Sequence, residues 1–184
     1  MVPVTSLWLP ILLSAVIVFV VSSLIHMVLS YHRSDFGRLP SEDAVMDALR
    51  SAPTGDYMFP WAGGPSAMKD PTFIEKRKRG PVGVLTLLKP APPTMGPYLA
   101  RWFVYCLVVG IFAAYIAGRA VGPGAPYRSV FRFAGCTAFI GYALAYWQNS
   151  IWYGRKWSTT FKVTVDGLIY GLLTGGTFGW LWPR

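Results

Sequence analysis

The chain has 184 residues, of which 53% are hydrophobic and only 14% are charged. A soluble domain ordinarily carries about 25% charged residues, so the composition argues against an ordinary soluble globular protein. The formal net charge of +9 would also fit a nucleic-acid binder, but the distribution of the charges along the chain favours a membrane protein.

Four hydrophobic segments predict four transmembrane helices, since a spanning helix needs about 20 mostly apolar residues. The first segment, residues 7–29, contains no Lys, Arg, Asp or Glu. No Lys or Arg precedes it, so we interpret it as a retained helix and not as a cleaved signal peptide. The other three helices are predicted at approximately residues 102–118, 131–147 and 163–182.

The predicted fold class is therefore an all-α integral membrane protein with a long loop after the first helix. Residues 1–31 are assigned to transmembrane helix 1, residues 32–98 to a cytoplasmic loop or cap, and residues 99–184 to a three-helix transmembrane region. An entirely unstructured loop of that length would be unusual in a compact protein, so we expect an ordered cap, with a flexible tether as the alternative.

The loop contains signals for a short helix and a small β element. Ser41 followed by Glu42 and Asp43 is typical of a helix N-terminus, which predicts a helix ending near Arg50. Residues 82–88 have the composition of a short strand, and residues 57–59 are its predicted pairing partner.

The positive charges predict the orientation in the membrane. Thirteen of the 17 Lys and Arg residues lie in the long loop, at its border, or in the link between helices three and four, and four lie on the opposite side. Positive residues favour the cytoplasmic side, so we expect both termini outside and the long loop in the cytoplasm. A multi-pass protein of this size is expected in a bacterial-type inner membrane.

Basic and aromatic residues near the predicted interfaces are candidates for contact with lipid headgroups. A basic side chain contributes about 1 kcal/mol near an anionic surface, and Trp is enriched at membrane interfaces. The basic run 76–79 lacks interleaved aromatic residues, so we expect anionic lipid, and no nucleic acid, as its partner. For residues 148–157, binding of a partner or substrate is the alternative. The candidate headgroup contacts are Lys76, Arg77, Lys78, Arg79, Trp152, Arg155, Lys156 and Trp157.

Four glycines recur every four residues in the last hydrophobic segment, and we call them the glycine stripe. A stripe without side chains lets another helix approach closely inside a bilayer. We expect helices two, three and four to pack tightly, with helix one more peripheral; part of the stripe serving a homodimer is the alternative. The candidate packing residues are Gly110, Ala114, Gly118, Gly141 and Ala145, together with Gly167, Gly171, Gly175 and Gly179 of the stripe.

Polar residues of the hydrophobic segments concentrate at one predicted depth, near the cytoplasmic side. We favour a structural role for this group, because its members lie near the interface and Lys162 can pair with an acid four residues later. The alternative is a proton relay, an ion site or a site for a small polar substrate, since ionisable residues inside membranes are functional candidates by default. The candidates are His26, Tyr105, Gln148, Asn149 and Asp166.

Neither a metal site nor a cofactor is predicted. His26 and His32 are the only histidines, and on a regular helix residues six apart project about 240° apart. They would then not bind the same metal, and a pair of His32 with Asp35 would be incomplete. Cys106 and Cys136 are expected at different depths, too far apart for a disulfide.

The sequence contains no phosphate loop, metalloprotease pair or nucleophile elbow. We therefore expect a non-enzymatic membrane protein, either an accessory or structural subunit of a membrane assembly or a small homo-oligomer. Its partners would be the lipid bilayer with its anionic headgroups, and other membrane-protein subunits or copies of itself. The first alternative is a small transporter or an ion- or proton-conducting protein that uses a site around Asp166. The second alternative is a membrane-embedded enzyme with its site under the cytoplasmic loop.

Overall fold

The computed structural model describes residues 1–184, and 68% of them are helical. The chain divides into two compact units: unit 1 contains residues 1–36, 94–151 and 155–184, and unit 2 contains residues 37–93 and 152–154. The predicted helical fold with a small β element is confirmed. The helices in chain order are α1 (Trp8–Met27), α2 (Glu42–Leu49), α3 (Pro71–Arg79), α4 (Gly96–Ala120), α5 (Tyr127–Ala143), α6 (Trp147–Tyr153) and α7 (Trp157–Trp180), and the strands are β1 (Gly55–Phe59) and β2 (Gly83–Leu87).

Two of the four predicted spanning segments form helices that are long and apolar enough to cross a membrane. These helices are Val4–Met27, which includes a 3-10 turn before α1, and α4. The other two segments differ from their predicted ranges. α5 has 17 residues and ends four residues earlier than predicted, and α7 begins six residues earlier and includes Lys162 and Asp166.

The long helices of unit 1 form a bundle in which each helix contacts two others. α7 packs against α5 and α1, and α4 packs against α1 and α5. Phe178 of α7, Leu7 before α1 and Val130 of α5 are fully buried in one shared apolar core. The expectation that the first helix is peripheral is therefore wrong, because α1 covers both α4 and α7.

The glycine stripe lies at the interface between α7 and α5. A Cβ atom on Gly175 would lie 2.8 Å from the carbonyl oxygen of Phe131, and one on Gly171 would lie 3.0 Å from the carbonyl oxygen of Gly135. At the two ends of the stripe, Gly167 faces Ala143 and Gly179 faces the ring of Tyr127. The stripe is thus occupied by contacts within the chain, and this leaves no free glycine surface there for a homodimer.

The small residues of α4 pack mainly against the first helix. A Cβ atom on Gly110 would lie 3.3 Å from the side chain of Ile11, and Gly118 lies against the backbone of Val2. Gly141 of α5 faces Val109 of α4, and Ala114 is fully buried. Ala145 does not belong to this packing surface. It is exposed in the 3-10 turn Leu144–Tyr146, because α5 ends at Ala143.

Unit 2 contains the predicted short helix and the predicted strand pair. α2 begins after Ser41 and ends at Leu49, although the Ser41 side chain makes no capping hydrogen bond. β1 and β2 are antiparallel, with Tyr57 opposite Leu85. The described loop residues therefore include ordered secondary structure, as expected of a cap.

Helix α3 was not predicted, because the basic run at its end was interpreted only as surface charge. Its start is nevertheless encoded locally. The Asp70 carboxylate accepts a hydrogen bond from the Thr72 backbone nitrogen, and Pro71 occupies the first helical position, where its missing N–H costs nothing. The hydrogen bonds from Thr72 lower the pKa of Asp70, so the capping carboxylate stays charged at neutral pH.

Two adjacent glycines provide a test of the α5–α7 contact. Gly175→Ala would place a methyl group against backbone atoms of α5, whereas at Gly176 the nearest atom is the Tyr127 hydroxyl at 3.6 Å, an ordinary contact. We expect Gly175→Ala to destabilise the protein by about 1–3 kcal/mol through overpacking. Gly176→Ala should be neutral or stabilise it by up to about 1 kcal/mol, since alanine favours helix. Thermal unfolding followed by circular dichroism in detergent would measure both, and equal stability of the two variants would contradict the contact.

Candidate functional site

The histidines meet because the chain turns back after α1. α1 ends at Met27, and residues Tyr31–Asp35 form a 3-10 turn. The rings of His26 and His32 stack with their centroids 4.4 Å apart. The expectation that these histidines diverge was wrong, because it assumed one regular helix through both residues.

His32 lies between two carboxylates. Its Nδ1 is 2.7 Å from Oδ2 of Asp35, and its Nε2 is 2.8 Å from Oδ2 of Asp166. A carboxylate oxygen only accepts hydrogen bonds, so both contacts are satisfied when both imidazole nitrogens hold a proton. The turn after α1 is thereby joined to the first half of α7. We call Tyr31, His32, Asp35, Lys162 and Asp166 the polar cluster.

Asp166 is the most deeply buried acid of the cluster, with only 2% of its surface exposed. The Tyr31 hydroxyl donates to Oδ1 of Asp166, while His32 contacts the other carboxylate oxygen. Burial, followed by the hydrogen bond to the Asp166 carboxylate, raises the pKa of Tyr31 above its ordinary value. Tyr31 therefore stays neutral and remains a donor to Asp166.

Lys162 pairs with Asp35, and the predicted pair of Lys162 with Asp166 does not form. The Lys162 ammonium donates to Oδ1 of Asp35 at 2.9 Å, to the carbonyl oxygen of Tyr31 at 2.5 Å and to the Ser34 hydroxyl at 2.8 Å. The Lys162 side chain thus contacts the turn after α1 and not an acid of its own helix.

The Asp35 carboxylate is held in its charged form. Burial acts to raise its pKa, but hydrogen bonds from His32, Lys162 and Thr159 outweigh burial and lower the pKa to about 2. The Lys162 ammonium supplies the positive charge that lies 2.9 Å from the Asp35 carboxylate. Paired, hydrogen-bonded charges are the form in which buried charge is tolerated.

One buried polar atom beside the cluster has no partner. The Tyr170 hydroxyl makes no hydrogen bond, and only 4% of the Tyr170 surface is exposed. Tyr170 follows Asp166 by four residues on α7, and its ring packs 5.4 Å from that of Tyr142 and 6.2 Å from that of Trp102. Buried polar groups are almost always paired, so this hydroxyl marks a place for a water molecule or a ligand.

Of the five predicted polar candidates, His26 and Asp166 are the two that the fold brings together from distant parts of the chain. The Tyr105 hydroxyl donates to the carbonyl oxygen of Gly141, and the Asn149 amide donates to the carbonyl oxygen of Tyr146. Gln148 is exposed. Tyr105 lies in α4, and Gln148 and Asn149 lie in α6. A similar predicted depth in the membrane therefore did not bring these three residues to His26 and Asp166.

Of the eight predicted headgroup residues, one is partly buried and seven are exposed. Arg155 is partly buried, with its guanidinium 5.1 Å from the ring centre of Phe36 and 5.4 Å from that of Tyr146. It is therefore engaged within unit 1 and does not reach outward. The other predicted headgroup residues are exposed, namely Lys76, Arg77, Lys78, Arg79, Trp152, Lys156 and Trp157. Within unit 2, Lys76 and Arg79 line an open groove together with Phe59, Pro60, Gly80 and Pro81.

Three metal-ligating side chains converge at the polar cluster. One ligand atom each from His26, His32 and Asp166 lies within 4.8 Å of the others. Two imidazoles and one carboxylate are a ligand set found in zinc and iron sites. Sequence reasoning missed this group, because nothing in the local pattern shows that α1 stops one residue after His26.

Comparison of the chain with models of known protein families, with curated proteins and with solved structures finds no match.

Two lysines near the N-terminus of α7, Lys162 and Lys156, provide a test of the polar cluster. Lys162 donates to three oxygens, whereas Lys156 makes a single 3.3 Å hydrogen bond to the carbonyl oxygen of Ser34. Lys162→Met would leave the Asp35 carboxylate short of a charged donor, so we expect a loss of about 1–3 kcal/mol in stability. Lys156→Met should change it by less than about 0.5 kcal/mol, as for most surface substitutions. Thermal unfolding in detergent measures both, and a Lys162→Met protein as stable as the wild type would rule out this role.

Proposed function

We propose that the chain is a four-span integral membrane protein whose spans are α1, α4, α5 and α7. The observation that carries the proposal is the distribution of side chains on α7. Its buried side contains Asp166 and Thr174, while its exposed side is apolar. A helix of a soluble protein shows the opposite distribution. The large apolar residues exposed on α7 are Trp157, Phe161, Val165, Leu168, Leu172 and Trp180.

The same distribution supports α4 and α5 as spans. α4 exposes Val104, Val108 and Phe112, and α5 exposes Phe133 and Ile140. An exposed apolar surface of this extent is suited to lipid or to another membrane protein. We place the protein in a bacterial-type inner membrane, with both termini outside and residues 32–98 in the cytoplasm, on the charge asymmetry of the loops.

Within that membrane we propose a non-enzymatic role, as an accessory or structural subunit of a membrane assembly or as a homo-oligomer. The groups of the polar cluster satisfy one another, with Tyr31 and His32 on Asp166 and Lys162 on Asp35. Such a closed set of hydrogen bonds supports a structural tie between α1 and α7. The exposed apolar helix faces then provide the surface for neighbouring subunits, and the basic end of α3 provides contact with anionic headgroups.

Purification from the native membrane in mild detergent tests this role. We expect the 20.4 kDa chain to elute in a complex of defined mass, with a second protein or further copies of itself at a fixed ratio. The physical reason is that apolar helix faces that contact another subunit remain covered when lipid is removed gently. Light scattering coupled to size-exclusion chromatography measures the protein mass, and a solitary monomer in every mild detergent would contradict the proposal.

A second candidate function is movement of protons or small ions through the bundle. The observation that favours it is the unpaired Tyr170 hydroxyl, one helical turn beyond the buried Asp166 carboxylate. Adjacent polar groups at that depth are suited to holding water, and ionisable groups in membrane helices often belong to ion paths.

Two tyrosine variants separate conduction from a structural role. In proteoliposomes with a proton gradient, we expect Tyr170→Phe to lower flux at least tenfold, because it removes only the unpaired hydroxyl. Tyr98→Phe, which alters a tyrosine that is 58% exposed, should leave flux unchanged. A pH-sensitive dye inside the vesicles measures the flux. Absence of flux in the wild type, or equal flux in Tyr170→Phe, would eliminate this candidate.

A further inference from the structure

We propose that His26, His32 and Asp166 form a binding site for a divalent first-row transition metal ion such as zinc. This proposal does not depend on whether the protein is a subunit of a membrane assembly or conducts protons or small ions. It depends on the convergence of three ligand atoms from the last turn of α1, the turn after it and the first half of α7. It also depends on the hydrogen bonds that support His32 and Asp166, and on the position of His26.

The separations of the ligand atoms suit a single small ion. Nε2 of His32 and Oδ2 of Asp166 are 2.8 Å apart, and the three ligand atoms lie within 4.8 Å of one another. In a tetrahedral zinc site with bonds of about 2.0–2.1 Å, neighbouring ligand atoms lie about 3.3 Å apart. Side-chain adjustments of about 0.5 to 1.5 Å, within the range of rotamer motion, would complete the site.

The environment of His32 is that of a metal ligand. Metal-binding histidines usually donate the N–H of the second ring nitrogen to a carboxylate, which orients the ring and raises its basicity. Nδ1 of His32 is 2.7 Å from Asp35, and Asp35 is itself held by Lys162 and Thr159. Nε2 then points at Asp166, the position at which the ion would replace the proton that the two side chains share.

Asp166 is supported in the same way. Its Oδ1 accepts a hydrogen bond from Tyr31, which leaves Oδ2 as the ligand atom beside His32. Only 3% of the Asp166 side chain is exposed. A carboxylate this deeply buried is costly, and a divalent cation compensates it more fully than a shared proton.

His26 supplies the ligand that the cluster itself does not use. Its ring stacks on His32 and is exposed, and it takes no part in the hydrogen bonds of the polar cluster. His26 lies in the last turn of α1, next to the proposed cytoplasmic loop, which gives the ion a route from water. Two imidazoles and one carboxylate favour zinc, iron or cobalt over magnesium and calcium, which prefer all-oxygen sites, and three protein ligands leave a coordination position open.

Equilibrium dialysis of the full chain in detergent, prepared without a histidine tag and stripped with a chelator, tests the site with Zn²⁺ alone. We expect one zinc ion per chain. His26→Phe keeps an aromatic ring for stacking on His32 but removes the ligand nitrogen, so it should bind zinc at least tenfold more weakly. The matched control Asp43→Asn, which removes an exposed acid of α2, should bind like the wild type.

Two further readouts separate loss of the site from loss of the fold. In the absence of metal, His26→Phe should unfold at the wild-type temperature, because His26 makes none of the cluster's hydrogen bonds. Zinc should raise the unfolding temperature of the wild type and of Asp43→Asn, since a ligand of the folded state stabilises it, but not that of His26→Phe. If His26→Phe does not fold, His26→Gln replaces it in the same comparison. A wild type that binds no stoichiometric zinc, or a folded His26 variant that binds zinc with wild-type affinity, would overturn the proposal.

Discussion

The contact between His32 and Asp166 is the interaction on which the arrangement of the bundle depends. It joins the turn after α1 to α7, and it brings with it Asp35 and Lys162, which are paired to each other across the same junction. Without His32, the buried Asp166 carboxylate would lose its nearest charged partner. Breaking a buried pair typically costs about 3–5 kcal/mol. The turn after α1 is therefore held against the first half of α7.

A neighbouring face of α7 is constrained by a different physical effect. Gly171 and Gly175 allow the backbone of α5 to approach to a distance at which a methyl group would overlap carbonyl oxygens. α7 is consequently fixed on one face by close backbone packing and on a neighbouring face by charge pairing. Its remaining surface, which includes Leu168 and Leu172, is apolar and exposed. This division explains how a helix with a buried acid and several glycines and threonines suits the proposed membrane span.

Local patterns in the sequence were sufficient to predict the elements whose information is local. The four-residue glycine period predicted a close helix contact, the acids after Ser41 predicted α2, and the composition of residues 82–88 predicted the strand that pairs with β1. The polar cluster required information that is not local. Its geometry depends on the end of α1 at Met27 and on contact between α1 and α7. A helical projection of His26 and His32 contains neither fact, so a pair that meets in space was predicted to diverge.

The proposed metal site and the proposed structural role follow from the same geometry. A proton shared between His32 and Asp166 already links the turn after α1 to α7 through one hydrogen bond. A bound ion would add His26 to that link and so connect the last turn of α1 directly to α7. Such an ion would stiffen the junction, while the glycine contact with α5 occupies a different face of α7. Metal occupancy would therefore act on the position of α1, which packs against both α4 and α7.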